Sequence, residues 1–201
     1  MINLIRRDII LQKWQLLIFI PFVAFFIIMD SHPILTFLVA SVFIPFNAFA
    51  YDEKAHTHML LNSLPYTRKE IITSRYLGAV FYMVIAIGVT CLGLFISSTP
   101  YTITDIAVAS GLFLLFAAFT FPLFYILKPG YIYYVALVIF LSSAAIGPPI
   151  VIFLLDNLTA ISTFIYNLST PLIFAGSFII VMSLYVLSWW STAFVYQRKT
   201  F

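Results

Sequence analysis

Three histidines, one cysteine and seven acidic residues are the groups of this 201-residue chain that could ligate a metal or move a proton. Their spacing matches no ligand set. His56 and His58 are two apart, which points them to different faces of a helix, and His32 stands alone. No carboxylate pair and no His-x-x-x-His spacing falls within an apolar segment, so paired-acid hydrolysis and metal-assisted chemistry both lack their residues. No Gly-x-x-x-x-Gly-Lys-[Ser/Thr] loop occurs either. The chain is therefore expected to bind no metal, no cofactor and no nucleotide of its own, and any ATP and Mg would sit on another polypeptide.

The elements that carry these residues are apolar. The chain is 63% hydrophobic and 8% charged, against about 25% charged residues in an ordinary soluble domain, which places it in a bilayer as one unit. Cys91 lies inside an apolar run, allows no disulfide and reads as a packing residue. The net charge of +3 follows membrane topology and carries no nucleic-acid signal. The opening MINLIRRDIILQKW is too polar for a secretory signal, so the amino terminus is expected to be retained.

Crossing about 30 Å of hydrocarbon at about 1.5 Å per residue takes about 20 apolar residues. Six segments meet this: 11–29, 34–51, 76–96, 106–127, 131–155 and 172–195. The expected fold is all-α, a single polytopic permease domain spanning 1–201 with six transmembrane helices and both termini cytoplasmic. In that arrangement every Lys and Arg is cytoplasmic, while the outer loops hold only Asp30, Asp105 and Asp156. The first pair of segments has a competing reading as a re-entrant hairpin, because Leu16 to Met29 is short and contains Pro21.

Local signals fit these limits. Thr67-x-x-Glu70 reads as a capping box before the third segment, and Thr170-Pro171 as an N-cap and first-turn proline before the sixth. Gly147, Pro148 and Pro149 remove two backbone donors from the fifth segment and are expected to bend or break it, which makes them a gate candidate. Ile2, Ile5 and Ile9 suggest an interfacial helix over 1–10. Ile161, Phe164, Ile165 and Leu168 suggest a short amphipathic helix within the outer loop 156–169. The small-residue pairs Ala107 to Gly111 and Ser143 to Gly147 read as chance spacing.

The apolar cores of the spans contain no Asp, Glu, Lys, Arg or His, so the relay groups of an ion-coupled carrier are missing. Their polar residues, among them Ser41, Thr90, Ser110 and Thr120, suit helix packing. Asn47 is the pathway candidate, because nearby Pro45 frees a backbone carbonyl that needs a partner. Charge gathers instead in YDEKAHTHMLLNSLPYTRKEII, Tyr51 to Ile72, within the cytoplasmic loop 52–75. Glu53 and Lys54 open this loop, Met59, Leu60, Leu61 and Leu64 form an apolar patch, Pro65 turns the chain, and Arg68, Lys69 and Glu70 begin the next helix. Those leucines either lie on the lipid interface as part of a plain connector or dock into a soluble partner.

The stretch FNAFAYDEKAHTHMLLNSLPYTRKEIITSRYLGA, Phe46 to Ala79, resembles a segment of small ABC-2-type exporter permeases. There a second span ends in Tyr-Asp/Glu-x-x and is followed by Ser-Leu-Pro-x-Ser/Thr-Arg-x-x-Ile. The ends MINLIRRDI and AFVYQRKTF are similar to that family's ends as well. The resemblance implies a half-sized membrane subunit in the bacterial plasma membrane that dimerises with a second copy or a paralogue. It would sit on a pair of ATP-binding-cassette ATPase subunits and drive its substrate outward. Glu53 to Glu70 would then be the coupling element, with Leu60, Leu61 and Leu64 seated in the ATPase and Arg68 and Lys69 on its acidic rim. Some relatives of this size export amphipathic antimicrobial or toxin-like peptides, phenol-soluble modulins among them, and 22 Phe would suit such cargo. An accessory membrane protein and a lipid-modifying enzyme are the rival classes, the latter without a catalytic cluster.

Overall fold

The computed structural model describes residues 13–54, 67–126, 131–157 and 169–198. Within them every element is helical: α1 (Lys13–Ile28), α2 (Pro33–Lys54), α3 (Arg68–Ile96), α4 (Ile103–Ile126), α5 (Ile132–Asn157) and α6 (Thr170–Arg198). Helices α3, α4 and α6 are each long and apolar enough to cross a membrane, and Leu17–Ile28, Pro33–Ala48 and Leu137–Phe153 are shorter apolar stretches of the other three. Helices suit hydrocarbon because each closes its backbone hydrogen bonds within itself, leaving apolar side chains free to face lipid. Ile28, Phe95, Ile96 and Ile103 are among the large apolar residues left exposed.

The helix ends follow local chemistry. Thr67 caps α3 in extended geometry, and Glu70 closes the capping box that the sequence predicts. At the opposite end of α3, Ser97 caps and Ser98 adopts a positive φ of 57°, while Asp30 turns the chain after α1 with φ 53°. The Thr102 backbone N–H and hydroxyl both donate to the Asp105 carboxylate at the start of α4. The first cap of α6 differs from expectation. The Ser169 carbonyl accepts from the amides of Leu172 and Ile173, so Ser169 is the N-cap and Thr170 already lies in the first turn. Serine and threonine cap almost equally well, so residue type alone places this boundary only to within one position.

Two segments run as continuous helix where the sequence marks a change. Helix α5 runs unbroken through Gly147, Pro148 and Pro149. Two missing N–H donors cost two helical bonds, but breaking the helix would strip more, and hydrocarbon offers no water to replace them. Helix α3 begins at Arg68, as the capping box predicts, ahead of the apolar run that starts at Tyr76, so Arg75 lies within it. It is helical and buried, on a stretch that also buries Ile71, Ile72 and Ser74. The interfacial helix of 1–10 and the amphipathic helix containing Ile161, Phe164, Ile165 and Leu168 lie outside the described residues.

The packing centres on α3. On one side, Phe19, Val23, Ala40, Ile44, Tyr82 and Ala86 join α1, α2 and α3. On the other, Tyr76, Met83, Phe113, Ala117, Phe121, Tyr185 and Tyr196 join α3, α4 and α6, with Leu38, Val42 and Phe46 of α2 against them. The alanines and Gly93 let helices approach closely: a Cβ on Gly93 would meet Ile27 Cδ1 of α1 at 2.7 Å. No such approach occurs at Gly111 or Gly147, where a Cβ would meet nothing within 4 Å, in keeping with chance spacing of those small-residue pairs. Among the described residues α5 packs mainly on α4 and more lightly on α2.

Candidate functional site

Two features of the described bundle could serve transport, a groove along α2 and a polar seam at the start of α3. The groove has two lobes. One, of about 420 Å³, is lined by Phe22, Phe26, Leu35, Val39, Val42, Phe43, Phe46, Asn47 and Phe140. The other, of about 400 Å³, is lined by Leu35, Leu38, Val42, Leu112, Leu115, Phe116, Phe119, Ile139 and Phe140. Leu35, Val42 and Phe140 belong to both lobes, so the two adjoin between α1, α2, α4 and α5. Phe22 and Phe43 stack with ring centroids 4.5 Å apart, which stiffens the α1–α2 wall.

Asn47 is the one polar side chain on this lining. Its amide donates to the Phe43 carbonyl at 2.8 Å, one helical turn back. Its expected duty was to serve the carbonyl freed by Pro45, which is that of Ser41 four residues before the proline. The structure thus keeps Asn47 at the groove and ties it to its own helix. Its amide oxygen is directed by that bond, and its placement beside Phe46 gives an otherwise apolar wall one hydrogen-bonding point.

The seam lies where the charged loop enters α3. The Thr67 amide and hydroxyl each donate to Glu70 Oε2 at 2.8 Å, and the Glu70 amide donates back to Thr67 Oγ1 at 3.2 Å. Arg68, placed by sequence against a partner's acidic rim, donates to the carbonyls of Tyr196 at 3.3 Å and Gln197 at 3.1 Å. It therefore caps the carboxyl end of α6, where the helix dipole favours a cation. Lys69 Nζ lies 5.3 Å from the centre of the Trp189 ring, and Trp189 Nε1 donates to Thr73 Oγ1 at 3.1 Å. Deeper in, the Tyr76 hydroxyl meets Ser188 Oγ and Thr192 Oγ1, each at 2.8 Å.

Glu53 and Lys54 fall in the last turn of α2. Met59, Leu60, Leu61, Leu64 and Pro65 lie outside the described residues, as do His56 and His58. Arg75 lines a small cavity with Pro45, Ala48, Ser74, Gly78, Ala79 and Tyr82. Gly147, Pro148 and Pro149 stay within α5, beyond the groove lining that α5 supplies through Ile139 and Phe140. Among the described residues no group of three His, Cys, Asp or Glu is placed to hold a metal.

Sequence reasoning missed the groove and most of the seam. Tyr76 and Ser188 are 112 residues apart, and no local spacing links them. The one available signal was Ser188 and Thr192, two hydroxyls at i and i+4 on one face of an apolar helix.

The chain matches the family described as ABC-2 family transporter protein over residues 3–197. No curated protein matches it, and no solved structure does. A family match of that extent, on a bundle in which three of the described helices are long and apolar enough to cross a membrane, shows that the chain belongs to the ABC-2 family of transporter proteins and is a membrane-embedded permease component.

Proposed function

We propose that the chain is the membrane-spanning half of an ATP-binding-cassette exporter, moving an amphipathic or hydrophobic substrate such as a toxin-like or antimicrobial peptide. Six spans with both termini in the cytoplasm would form it. Two permease chains, identical or paralogous, would pair in the bacterial plasma membrane on two ATPase subunits that bind ATP and Mg. The loop from Glu53 to Glu70 would meet the ATPase through Leu60, Leu61 and Leu64, with Pro65 turning it and Lys69 at its edge. Arg68 would stand on the permease side of that contact, handing its load to α6.

The observation that carries this reading is the phenylalanine-rich groove with one amide on its wall. From Leu35 to Asn47 it follows α2 for about 18 Å at a helical rise of about 1.5 Å per residue. That length and lining suit the apolar face of a short amphipathic helix better than a hydrated ion or sugar. The test is a pull-down of the tagged full-length chain from native membranes, followed by ATPase assay with an amphipathic helical peptide. A co-purifying P-loop ATPase stimulated by the peptide is expected. Absence of any ATPase, together with unchanged export on deletion, would instead make the chain an accessory membrane protein.

A further inference from the structure

The contacts around Tyr76 form a directed hydrogen-bond chain across three helices. Tyr76, Ser188 and Thr192 are 3%, 8% and 0% exposed, so water does not serve their hydroxyls. Ser188 Oγ donates to the Ala118 carbonyl of α4 at 2.6 Å. The Tyr76 hydroxyl has two contacts of 2.8 Å but one proton, so it donates to one partner and must accept from the other. With the Ser188 proton spent on Ala118, the arrangement that makes both contacts real bonds is Thr192 to Tyr76 to Ser188 to the Ala118 carbonyl. Thr192 can also turn its proton to the Ser188 carbonyl at 2.8 Å, but two hydroxyl oxygens then face each other with no proton between them.

The chain is braced from both sides. Tyr185 of α6 donates to the Tyr76 carbonyl at 2.9 Å, so α3 and α6 each hold the other at this residue. The Tyr76 ring meets Phe121 of α4 edge-on and Tyr185 at a tilt, both at 5.1 Å between centroids. Toward the helix start, Trp189 to Thr73 and Arg68 to the end of α6 continue the same seam. Helix α5, by contrast, meets the groove with Ile139 and Phe140 and packs lightly.

We infer that Tyr76, Ser188 and Thr192 lock α3, α4 and α6 into one body, so that displacement entering at the start of α3 moves these helices together against α5 and changes the groove. The lock is a positioning device. It rests on the reading that load arrives through the loop before Arg68.

The experiment is electron–electron distance measurement on the full chain in lipid nanodiscs. Spin labels go on lipid-facing Leu77 of α3, Leu187 of α6 and Val138 of α5, taken in pairs. The α3–α6 pair is expected to give one narrow distribution and the α3–α5 pair a broader one. Tyr76→Phe removes the bridge but leaves Ser188 on Ala118 and Thr192 on Ser188, so it keeps the fold. It should enlarge the minor α3–α6 population about fivefold, the equilibrium change of one buried hydrogen bond. Thr192→Val, which keeps side-chain shape, should act in the same direction. With the co-purified ATPase, a non-hydrolysed ATP analogue should shift α3–α5 and leave α3–α6 in place. The lock is overturned if the α3–α6 pair is as broad as α3–α5 in the unaltered chain, if Tyr76→Phe and Thr192→Val leave it unchanged, or if nucleotide moves both pairs alike. Should no ATPase accompany the chain, the proposed function fails, while the nucleotide-free widths still decide whether the lock exists.

Discussion

Thr67→Ala isolates the point where α3 begins. The substitution deletes one hydroxyl, and that hydroxyl takes part in two of the three contacts of the capping box: it donates to Glu70 Oε2 and accepts from the Glu70 amide. The third, from the Thr67 amide to Glu70, keeps its atoms but loses the partner that held the carboxylate in place. Losing a threonine N-cap costs about 1 kcal/mol, and at about 1.4 kcal/mol per tenfold that is about a fivefold rise in the frayed population of the first turn. Thr67 is exposed, so its freed groups can turn to water and the effect should stay local. The assay is amide hydrogen exchange of the full chain in nanodiscs. Peptides covering Thr67, Glu70 and Ile71 should exchange about fivefold faster in Thr67→Ala, consistent with a cost of about 1 kcal/mol, and close to normally in Thr67→Ser. Peptides from the middle of α3, such as those around Ala86, should not change. Equal exchange in Thr67→Ala and the unaltered chain would show that the seam to α6 holds this turn by itself, and that the capping box adds nothing.

Four other outcomes follow. Leu64→Asp should abolish ATPase co-purification while the detergent-purified permease keeps its helical signal and elution volume; retained co-purification would remove this leucine from the contact. Phe140→Ala joins the two lobes of the groove at their shared wall, and should shift peptide-stimulated ATPase activity toward bulkier apolar faces, measured by competition across a peptide series. Pro148→Ala with Pro149→Ala restores two helical donors and should raise the thermal unfolding temperature, since an interior proline costs about 3 kcal/mol; a fall would mean that the prolines meet a specific packing need. Gly93→Ala should be near neutral because its methyl meets only the end of the Ile27 side chain. Gly93→Val should destabilise by about 1–3 kcal/mol and be rescued by Ile27→Ala in a detergent melting cycle.

The sequence was most legible where the physics is local. Apolar runs locate the six helices because bilayer and bundle interior alike demand uninterrupted backbone bonding, and Thr67 and Glu70 reveal their cap because both partners lie within one turn. Legibility fades where the deciding partner lies far along the chain. Nothing near Arg68 in sequence points to the carbonyls 128 and 129 residues away that its guanidinium meets. The burial of Arg75 is likewise decided by tertiary packing, since a capped helix start fixes that it is helical and not which face it presents. Gly147-Pro148-Pro149 read as a bend or a break, and the helix is not broken, because a break would forfeit more backbone bonds in hydrocarbon than the two that the prolines cost.

The contrast between the groove and the seam bears on how energy would be used. Apolar packing between helices in a bilayer gains little from the hydrophobic effect, since lipid tails are as apolar as leucine, so helices joined only by such contacts can slide at small cost. Helices joined by buried hydrogen bonds slide at greater cost, because their hydroxyls must find new partners where no water reaches them. The chain places its interhelical hydroxyl bonds at Tyr76, Ser188 and Thr192, and lines its groove with phenylalanine and leucine. One distribution ties α3 to α4 and α6; the other leaves a wall held by apolar contacts alone, which in the proposed function would reshape around an apolar cargo. Under the proposed function, a mechanical input at the start of α3 would travel along the hydrogen-bonded seam into α4 and α6.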